Sequence, residues 1–354
     1  MRYLVSLIFI LSAVLFFGVN ISPEELTYAG LIPLLIPVFL GINFILLFVL
    51  ILSKRKLLVL PLVAILFGWK FIGITFQWNA SDKASEGMEV LSYNAHMFSY
   101  EKYKAGDDKI KVNIYDWIRE QDADIIGIQE FYQDNTTPSR NAIKLLGGDN
   151  KYSYATQSVE ERKGKRFFGL AIFTKYPILN EGKLFDNNKT NGAMFVDLKV
   201  KDDTIRVYNV HLESMSIPAE QLANIDGIKE NYKKTWRRLN KGVVNRASQV
   251  NVLAQHVKNS PYPSIVMGDF NDVPYSYTYF SLRSFMDNAF ESAGKGFGFT
   301  FNKVLFFLRI DNIFYDQRLA PLEFNTLREV DYSDHYPIRA KFRIAPLLPS
   351  KEEP

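Results

Sequence analysis

The hydrophobic pattern divides the chain into two parts that face different solvents. Three apolar runs crowd the first 80 positions: Tyr3–Val19, Leu31–Leu52 and Leu57–Phe76. A helix needs roughly 17–25 apolar residues to cross the hydrocarbon core of a bilayer. The pattern therefore predicts about three transmembrane helices, over 3–19, 31–52 and 57–76. An uncleaved first span is preferred to a signal peptide, because Gly18-Val19-Asn20 is a poor small-residue cleavage site. Pro33 and Pro37 fall early in the second run, where a neighbouring helix can cover the freed backbone groups. Lys70 is the one charge well inside a run, placed to snorkel or to face a partner helix.

Beyond a polar linker at 81–87 (SDKASEG), the pattern changes to short strands mixed with amphipathic helices, and this domain runs over 88–344 before a tail at 345–354. Met88–Asn94, Asp124–Glu130, Phe168–Thr174, Ala193–Val200, Thr204–Leu212 and Pro263–Phe270 read as strands. So do Arg309–Tyr315, Leu322–Leu327 and His335–Phe342. Lys109–Arg119 carries a helical stripe of Ile110, Ile114, Trp117 and Ile118, and Gln221–Asn259 is mainly helical with an interruption. Glu160–Arg166 reads as a hairpin tip. Strands joined partly by helices and partly by hairpins suggest packed mixed sheets with helices outside.

Composition and charge refine this picture. The chain has 354 residues and no cysteine, which excludes disulfides, thiolate nucleophiles and cysteine-bound zinc. Of the net charge of +4, +3 lies in residues 1–80, so the domain is nearly neutral and lacks a global nucleic-acid footprint. Lys54-Arg55-Lys56 is basic whereas Ser22–Tyr28 holds only acids. The positive-inside rule then predicts a multi-pass protein of a bacterial inner membrane, with its C-terminal domain on the periplasmic, outer side. A basic stretch, Lys229–Arg246 with Tyr232 and Trp236 interleaved, is either a contact for anionic groups or a solvated helix face.

Polar residues recur where the apolar strands end. Asn94 ends one strand, Glu130 another, and His211 lies late in a third. Asp269 and Asn271 close SIVMGDFN, two apart, so an extended backbone would point both to one side. Asp311 sits in RIDNIF and Asp334-His335 precede the last strand. Strand ends beside loops are common places for catalytic groups. Four of them also have a structural reading: Asp334 as a turn cap, Asp311 as a partner of Arg309 or Arg339, His211 as a core histidine, Glu130 in an ion pair. His256 reads as ordinary helix surface.

The ordered series YNAH, IQE, GLAIFTKYPI, NVHLES, MGDFND, RIDNIF and SDHYPI resembles the motifs of the endonuclease/exonuclease/phosphatase superfamily over about residues 86–344. The resemblance implies an α/β (α+β) fold, a four-layer sandwich of two mixed β-sheets flanked by helices, with both sheets contributing to one site. It also implies residue roles. Glu130 would be the main metal ligand, with Asn94 in the same shell and Asp311 completing the acidic cluster. Asp269 would orient or deprotonate the attacking water, and Asn271 would hold that water or a phosphate oxygen. His335, partnered by Asp334, would bind the scissile phosphate; His211 would contact it or assist proton transfer, and His96 would contact it. The implied cofactor is Mg2+, with Mn2+ the alternative, since a hard cation takes oxygen ligands.

These residues make the leading expectation a membrane-anchored, metal-dependent phosphoesterase. Its substrate would be nucleic acid, a phospholipid head group or a small phosphate ester, with the lipid bilayer as partner. Phe297, Phe299, Phe301, Phe306 and Phe307 fit base stacking, acyl contact or a plain core equally. The competing expectation is a catalytically silent membrane-bound binding protein with the same fold. The sequence leaves the oligomeric state open.

Overall fold

The computed structural model describes residues 1–80, 86–99, 109–148, 151–162, 165–186, 191–214, 225–303 and 307–344. Most of the expected linker (81–85), the tail beyond 344 and Phe306 lie outside these residues, as do the side chains at 109–113 (Ile110 of the expected stripe among them), 159–164, 225–232 and 344.

Alternation of apolar and polar residues produces strands β1 (Gln77–Trp78), β2 (Met88–Asn94), β3 (Ile125–Asp134), β4 (Ser153–Arg162), β5 (Arg166–Thr174), β6 (Ile178–Asp186) and β7 (Gly192–Val200). They continue as β8 (Asp203–His211), β9 (Ser264–Asp269), β10 (Asp287–Asn288), β11 (Lys295–Gly296), β12 (Asp311–Tyr315), β13 (Leu319–Thr326) and β14 (Ile338–Ile344). Two six-stranded mixed sheets result, in the orders β13-β14-β2-β3-β5-β4 and β10-β12-β9-β8-β7-β6. Each holds one parallel pair, β2–β3 in the first and β8–β9 in the second. Strands β4 and β6 were not expected from the pattern. Both are sheet edges, and β6 buries no residue fully, so neither needs a continuous apolar face.

The sheets pack face to face through Val90, Ile125, Ile172, Val196, Val207 and Ile265. Ile114 and Ile118 of helix Lys109–Glu120 cover the outer face of the first sheet against Leu91, Ile126 and Phe173. Val250 and Leu253 of the helix Ile225–Lys258 cover the second against Tyr208, Val210 and Val266. That helix runs 34 residues without the expected interruption. A buried polar link ties the sheets together: the Asn209 amide of β8 donates to the carbonyls of Ile128 (3.0 Å) and Ala171 (2.9 Å) on the other sheet.

The N-terminal region forms α1 (Arg2–Gly18), α2 (Ile32–Leu52), α3 (Val59–Phe67) and α4 (Trp69–Thr75). Inside this bundle Asn43 donates to Ser12 Oγ at 2.7 Å, a polar clamp between α2 and α1. Three full spans are not what folds. Among the described residues one helix, Thr27–Leu52, is long and apolar enough to cross a membrane. The 17-residue α1 reaches only about 25 Å, short of a hydrocarbon core of about 30 Å. The third run is broken at Gly68 into two helices bent by 49°, and makes a second candidate only if both are taken as one span. At Gly68 a Cβ would lie 2.6 Å from a Leu40 methyl, so the break coincides with close packing of α2.

These helices are continuous with the domain core. Phe16, Ile36, Leu40, Phe71 and Ile74 share a cluster with Val250, Tyr275 and Leu282. Arg309 Nη2 donates to the Ile74 carbonyl (3.1 Å), Thr75 and Tyr275 hydroxyls meet at 2.7 Å, and β1 pairs with β11. Lys70 lies 4.9 Å from the ring centres of both Phe71 and Phe280, within cation–π range of each.

Gly268 has φ +142°, and a Cβ there would stand 2.0 Å from the Val210 carbonyl oxygen of the adjacent strand. Gly268→Ala must therefore pry β8 from β9. Thermal unfolding of the full chain in detergent should show a Tm several degrees below wild type; an equal or higher Tm would contradict this reading of the β8–β9 contact.

Candidate active site

Strand register places three functional side chains in one row. β8 and β9 pair in parallel at His211–Asp269, and β9 and β12 pair antiparallel at Asp269–Asp311. Opposed residues project on the same face, so the three meet at one end of the second sheet. The first sheet brings Asn94 at the end of β2 and Glu130 from β3. Glu130 sits in a bulge between Ile128 and Phe131, with φ +49°, and the extra residue re-aims its side chain.

The two sheets meet in a compact cluster. Asn94 Nδ2 donates to Asp269 Oδ2 at 3.0 Å and lies 3.4 Å from Glu130 Oε1. His211 Nε2 is 3.6 Å from Asp269 Oδ2 and 3.8 Å from Glu130 Oε1. His335 Nε2 is 3.7 Å from Asp269 Oδ2, and its Nδ1 is 2.9 Å from Asp311 Oδ2. Asn94, His211, Asp269, Asp311 and His335 are all buried, whereas Glu130 and Asn271 keep an open edge.

Three geometric expectations change. Asp334 is not the partner of His335: neighbouring side chains diverge, and Asp334 turns to His96 Nδ1 at 3.4 Å. Asp311 takes the imidazole instead, so it pairs with neither Arg309 nor Arg339; the latter faces Glu89 at 3.7 Å. Strand alternation does not bring Asn271 beside Asp269 either. β9 ends at Asp269, Asn271 adopts φ +50°, and its N–H donates to Asp269 Oδ1 at 2.8 Å in an Asx-type turn. The Asn271 amide is spent on the Leu212 carbonyl at 3.0 Å.

His96 begins a left-handed turn, with φ between +44° and +58° at every position from His96 to Ser99. Such a backbone costs roughly 1–2 kcal/mol per residue. The turn is held by Asn94 Oδ1 accepting from His96 N (3.1 Å) and by Ser99 donating to the Tyr332 carbonyl (2.7 Å). Strain held in this way is common at functional sites. His256 is far from the cluster and is not free surface, since its Nδ1 meets the Tyr208 hydroxyl at 2.9 Å.

Supporting residues outside the motif ends also emerge. Thr300 Oγ1 accepts from the N–H groups of Ile310 and Asp311, and fixes the start of β12. Ser333 donates to the Asn94 carbonyl at 2.7 Å, which links the last motif to the first. Arg246, wholly buried, donates to the Glu213 carbonyl (2.8 Å) and pairs with Asp272 (3.3 Å) beneath the loops. Ser333 lies inside the SDHYPI motif and Arg246 ends the basic stretch, whereas for Thr300 a polar position among apolar ones was the only sequence signal.

Burial pushes the Asp269 carboxyl above its ordinary value, partly countered by His335. Burial pulls the His335 imidazole down, but the Asp311 and Asp269 carboxylates outweigh it and hold it up to about 10. His335 is therefore an imidazolium at neutral pH, one cation among crowded acids. Asp269, Asp311 and His335 offer atoms within 4.8 Å of one another, a buried group able to hold a metal ion once the ring gives up its proton. Glu130 and Asn94 border it. Two buried carboxylates beside a third, balanced by one imidazolium, leave negative charge that a divalent cation would neutralise. The oxygen-rich donors suit a hard ion.

A raised histidine pKa adds stability that is fully present below the unfolded value of about 6.5 and is lost as pH rises through about 10. In EDTA, the stability gap between wild type and His335→Gln should be widest near pH 6 and shrink steadily toward pH 10. A denaturant midpoint difference that grows with pH would refute the His335–Asp311 ion pair.

Sequence and structure comparisons agree with this geometry. The sequence model of the Endonuclease/Exonuclease/phosphatase family matches residues 91–335, and that of a domain of unknown function matches residues 2–75. No curated protein matches the chain. Among solved structures, an endonuclease/exonuclease/phosphatase family protein from Leptotrichia buccalis C-1013-b has a TM-score of 0.52 at 18% identity, covering 72% of this chain and 99% of its own. A mannosyl-6-phosphatase from Bacteroides thetaiotaomicron VPI-5482 has a TM-score of 0.50 at 18% identity, over 72% of this chain and 99% of its own. The human Nocturnin catalytic domain with bound sulfate anion has a TM-score of 0.50 at 17% identity, over 73% and 95%. At these identities the structural likeness shows the fold alone; the sequence match over more than half of the chain shows the family. The chain belongs to the endonuclease/exonuclease/phosphatase family.

Proposed function

We propose that this protein is a membrane-anchored, divalent-metal-dependent phosphoesterase that hydrolyses a phosphate ester by attack of an activated water. The observation that carries the reading is the convergence of Asn94 and Glu130 from one sheet with His211, Asp269 and Asp311 from the other, around His335. Family members are hydrolases acting on phosphoester bonds, and this chain keeps a chemically competent residue at each principal position.

Glu130 would hold the metal, magnesium in the first instance, beside Asp269, and Asn94 would join it with its amide turned to present Oδ1. The ion supplies charge neutralisation at the phosphate oxygens. Asp269, with its carboxyl pushed up by burial, is suited to take a proton from water. Asn271, locked in its turn against Asp269, positions the loop at the attacking side. His335 presents its Nε2–H as a fixed donor for developing oxyanion charge, and Asp311 orients and charges the ring. His211 lies between Glu130 and Asp269, able to contact the phosphate. His96 and Asp334 line the rim as a pair. Water's oxygen bonds to phosphorus, the P–O bond to the alcohol breaks, and the water proton ends on that alcohol.

Anchoring is supported by the outward faces of the N-terminal helices. Leu7, Val14, Phe17, Ile45, Phe48, Leu52 and Leu66 are exposed, a far larger apolar surface than a soluble monomer carries. The bent pair Lys56–Phe67 and Trp69–Thr75, taken as one, would carry the chain back across to the domain, and Thr27–Leu52 would be the other span. Lys54-Arg55-Lys56 at its C-terminal end would face the cytoplasm, with the catalytic domain at the other end, on the periplasmic side in a two-membrane bacterium. Resistance of the chain to carbonate extraction, with the domain open to externally added protease, checks both statements.

The decisive assay uses the full chain in detergent with bis-(p-nitrophenyl) phosphate. Mg2+ or Mn2+ should support turnover and EDTA should abolish it. Asp269→Asn should lower kcat by about 10³-fold. Glu130→Gln should raise the magnesium half-saturation by roughly 10–100-fold, since it removes a metal-binding carboxylate. Turnover indifferent to EDTA, or unimpaired in Asp269→Asn, would refute the mechanism.

A further inference from the structure

A second pocket lies where the span meets the domain. Its cavity of about 100 Å³ is walled by Leu34 and Pro37 of α2, by Tyr275, and by Phe299 and Phe307 of the segment that leads into β12. Arg309 lines it as well, the only charged lining residue among the described residues. Arg309 is buried over the Phe290 ring (4.2 Å), with its Nη2 on the Ile74 carbonyl; its Nη1 has no hydrogen-bond partner. A buried donor without a partner is costly unless something completes it.

Two features tie this pocket to both the bilayer and the catalytic cluster. On the outer side it is continuous with α2, where Leu34, Leu35 and Val38 stand exposed. On the inner side its walls are chain neighbours of the site. Arg309 is two residues from Asp311, Val273 is two from Asn271, and Phe301, two after Phe299, packs on the His335 ring at 5.4 Å. The pocket also adjoins the N-terminal half of α2, the half placed on the domain's side by the charge of Lys54-Arg55-Lys56.

We infer that this pocket takes a stretch of hydrocarbon chain from a membrane phospholipid whose phosphate ester is the substrate, and that the lipid enters the site sideways from the bilayer. This rests on the phosphoesterase reading above and adds the substrate class. An apolar wall that merges with the lipid-facing side of a span suits an acyl chain. A charged polymer backbone would have to cross that same apolar surface. The Arg309 guanidinium complements the negative head group. A cavity somewhat smaller than the roughly 150 Å³ one that admits benzene holds a few methylenes, enough for chain selection but not for a whole lipid.

The test uses the full chain in phosphatidylglycerol vesicles with a trace of the same lipid carrying a diazirine in one acyl chain. Photolabelling should fall on peptides holding Phe299, Phe307 and Tyr275. Leu34→Trp, which fills the pocket from an exposed position, should cut that labelling and the hydrolysis of vesicle lipid at least tenfold. It should leave turnover of bis-(p-nitrophenyl) phosphate unchanged. Leu34→Phe provides a milder version should the tryptophan variant unfold, with an intermediate loss expected. Pocket labelling that is absent, insensitive to both variants, or displaced by single-stranded DNA overturns the inference. A wild-type chain that cleaves bis-(p-nitrophenyl) phosphate but neither labels nor cleaves vesicle lipid overturns it and leaves the phosphoesterase reading intact. Labelling in the pocket without cleavage of either ester refutes the phosphoesterase reading instead.

Discussion

Burial of the Asp269 carboxyl is the constraint around which the domain is organised. Only 1% of this residue is exposed, and a charge out of water costs several kcal/mol unless it is partnered. Partners therefore arrive from every side: the Asn94 amide, the Asn271 N–H, and the rings of His211 and His335. Each arrival imposes a local condition. β9 must pair in register with both β8 and β12, which requires Gly268 where any Cβ would meet Val210. β3 must bulge so that Glu130 approaches from the facing sheet.

The second constraint is that the two sheets hold a fixed relation, because the site is split between them. Apolar packing between Val90, Ile125, Val207 and Ile265 supplies cohesion but tolerates sliding. Directional bonds remove that freedom. Asn209 reaches across to two carbonyls, and Gln129 donates to its oxygen at 2.5 Å, immediately behind Glu130. Ser333 bonding the Asn94 carbonyl does the same at the other margin. A site with catalytic groups on two sheets needs such ties, since small displacements would misalign it.

The N-terminal helices are joined to this framework rather than tethered loosely to it. α4 ends on Arg309, which immediately precedes the strand bearing Asp311, and α1 and α2 share the core that covers β8 and β9. Tyr28 packs on Trp236 of the long helix, and Glu24 accepts from Asn251. The basic helix is thus fastened to the helical region by an aromatic contact, which accounts for one of its two interleaved aromatics. The N-terminal helices and the loops of the cluster pack as one unit, so a displacement of the helices is felt at the cluster.

The chain's own pattern determined much of this. Seven motifs in order marked the family and nearly every member of the cluster, because residues at strand ends must be polar while the strands beneath them are apolar. Central strands were legible for the same reason: both of their faces are buried. Edges β4 and β6 were not, since a strand with a wet face need not be apolar. Apolar length alone announced three spans, but helix breaks depend on packing, and Gly68 against Leu40 is a tertiary event. Partner choice was likewise beyond the sequence. Asp334 is adjacent to His335 in the chain, yet Asp311, 24 residues away, receives the imidazole, because strand register rather than chain proximity decides which carboxylate faces the ring.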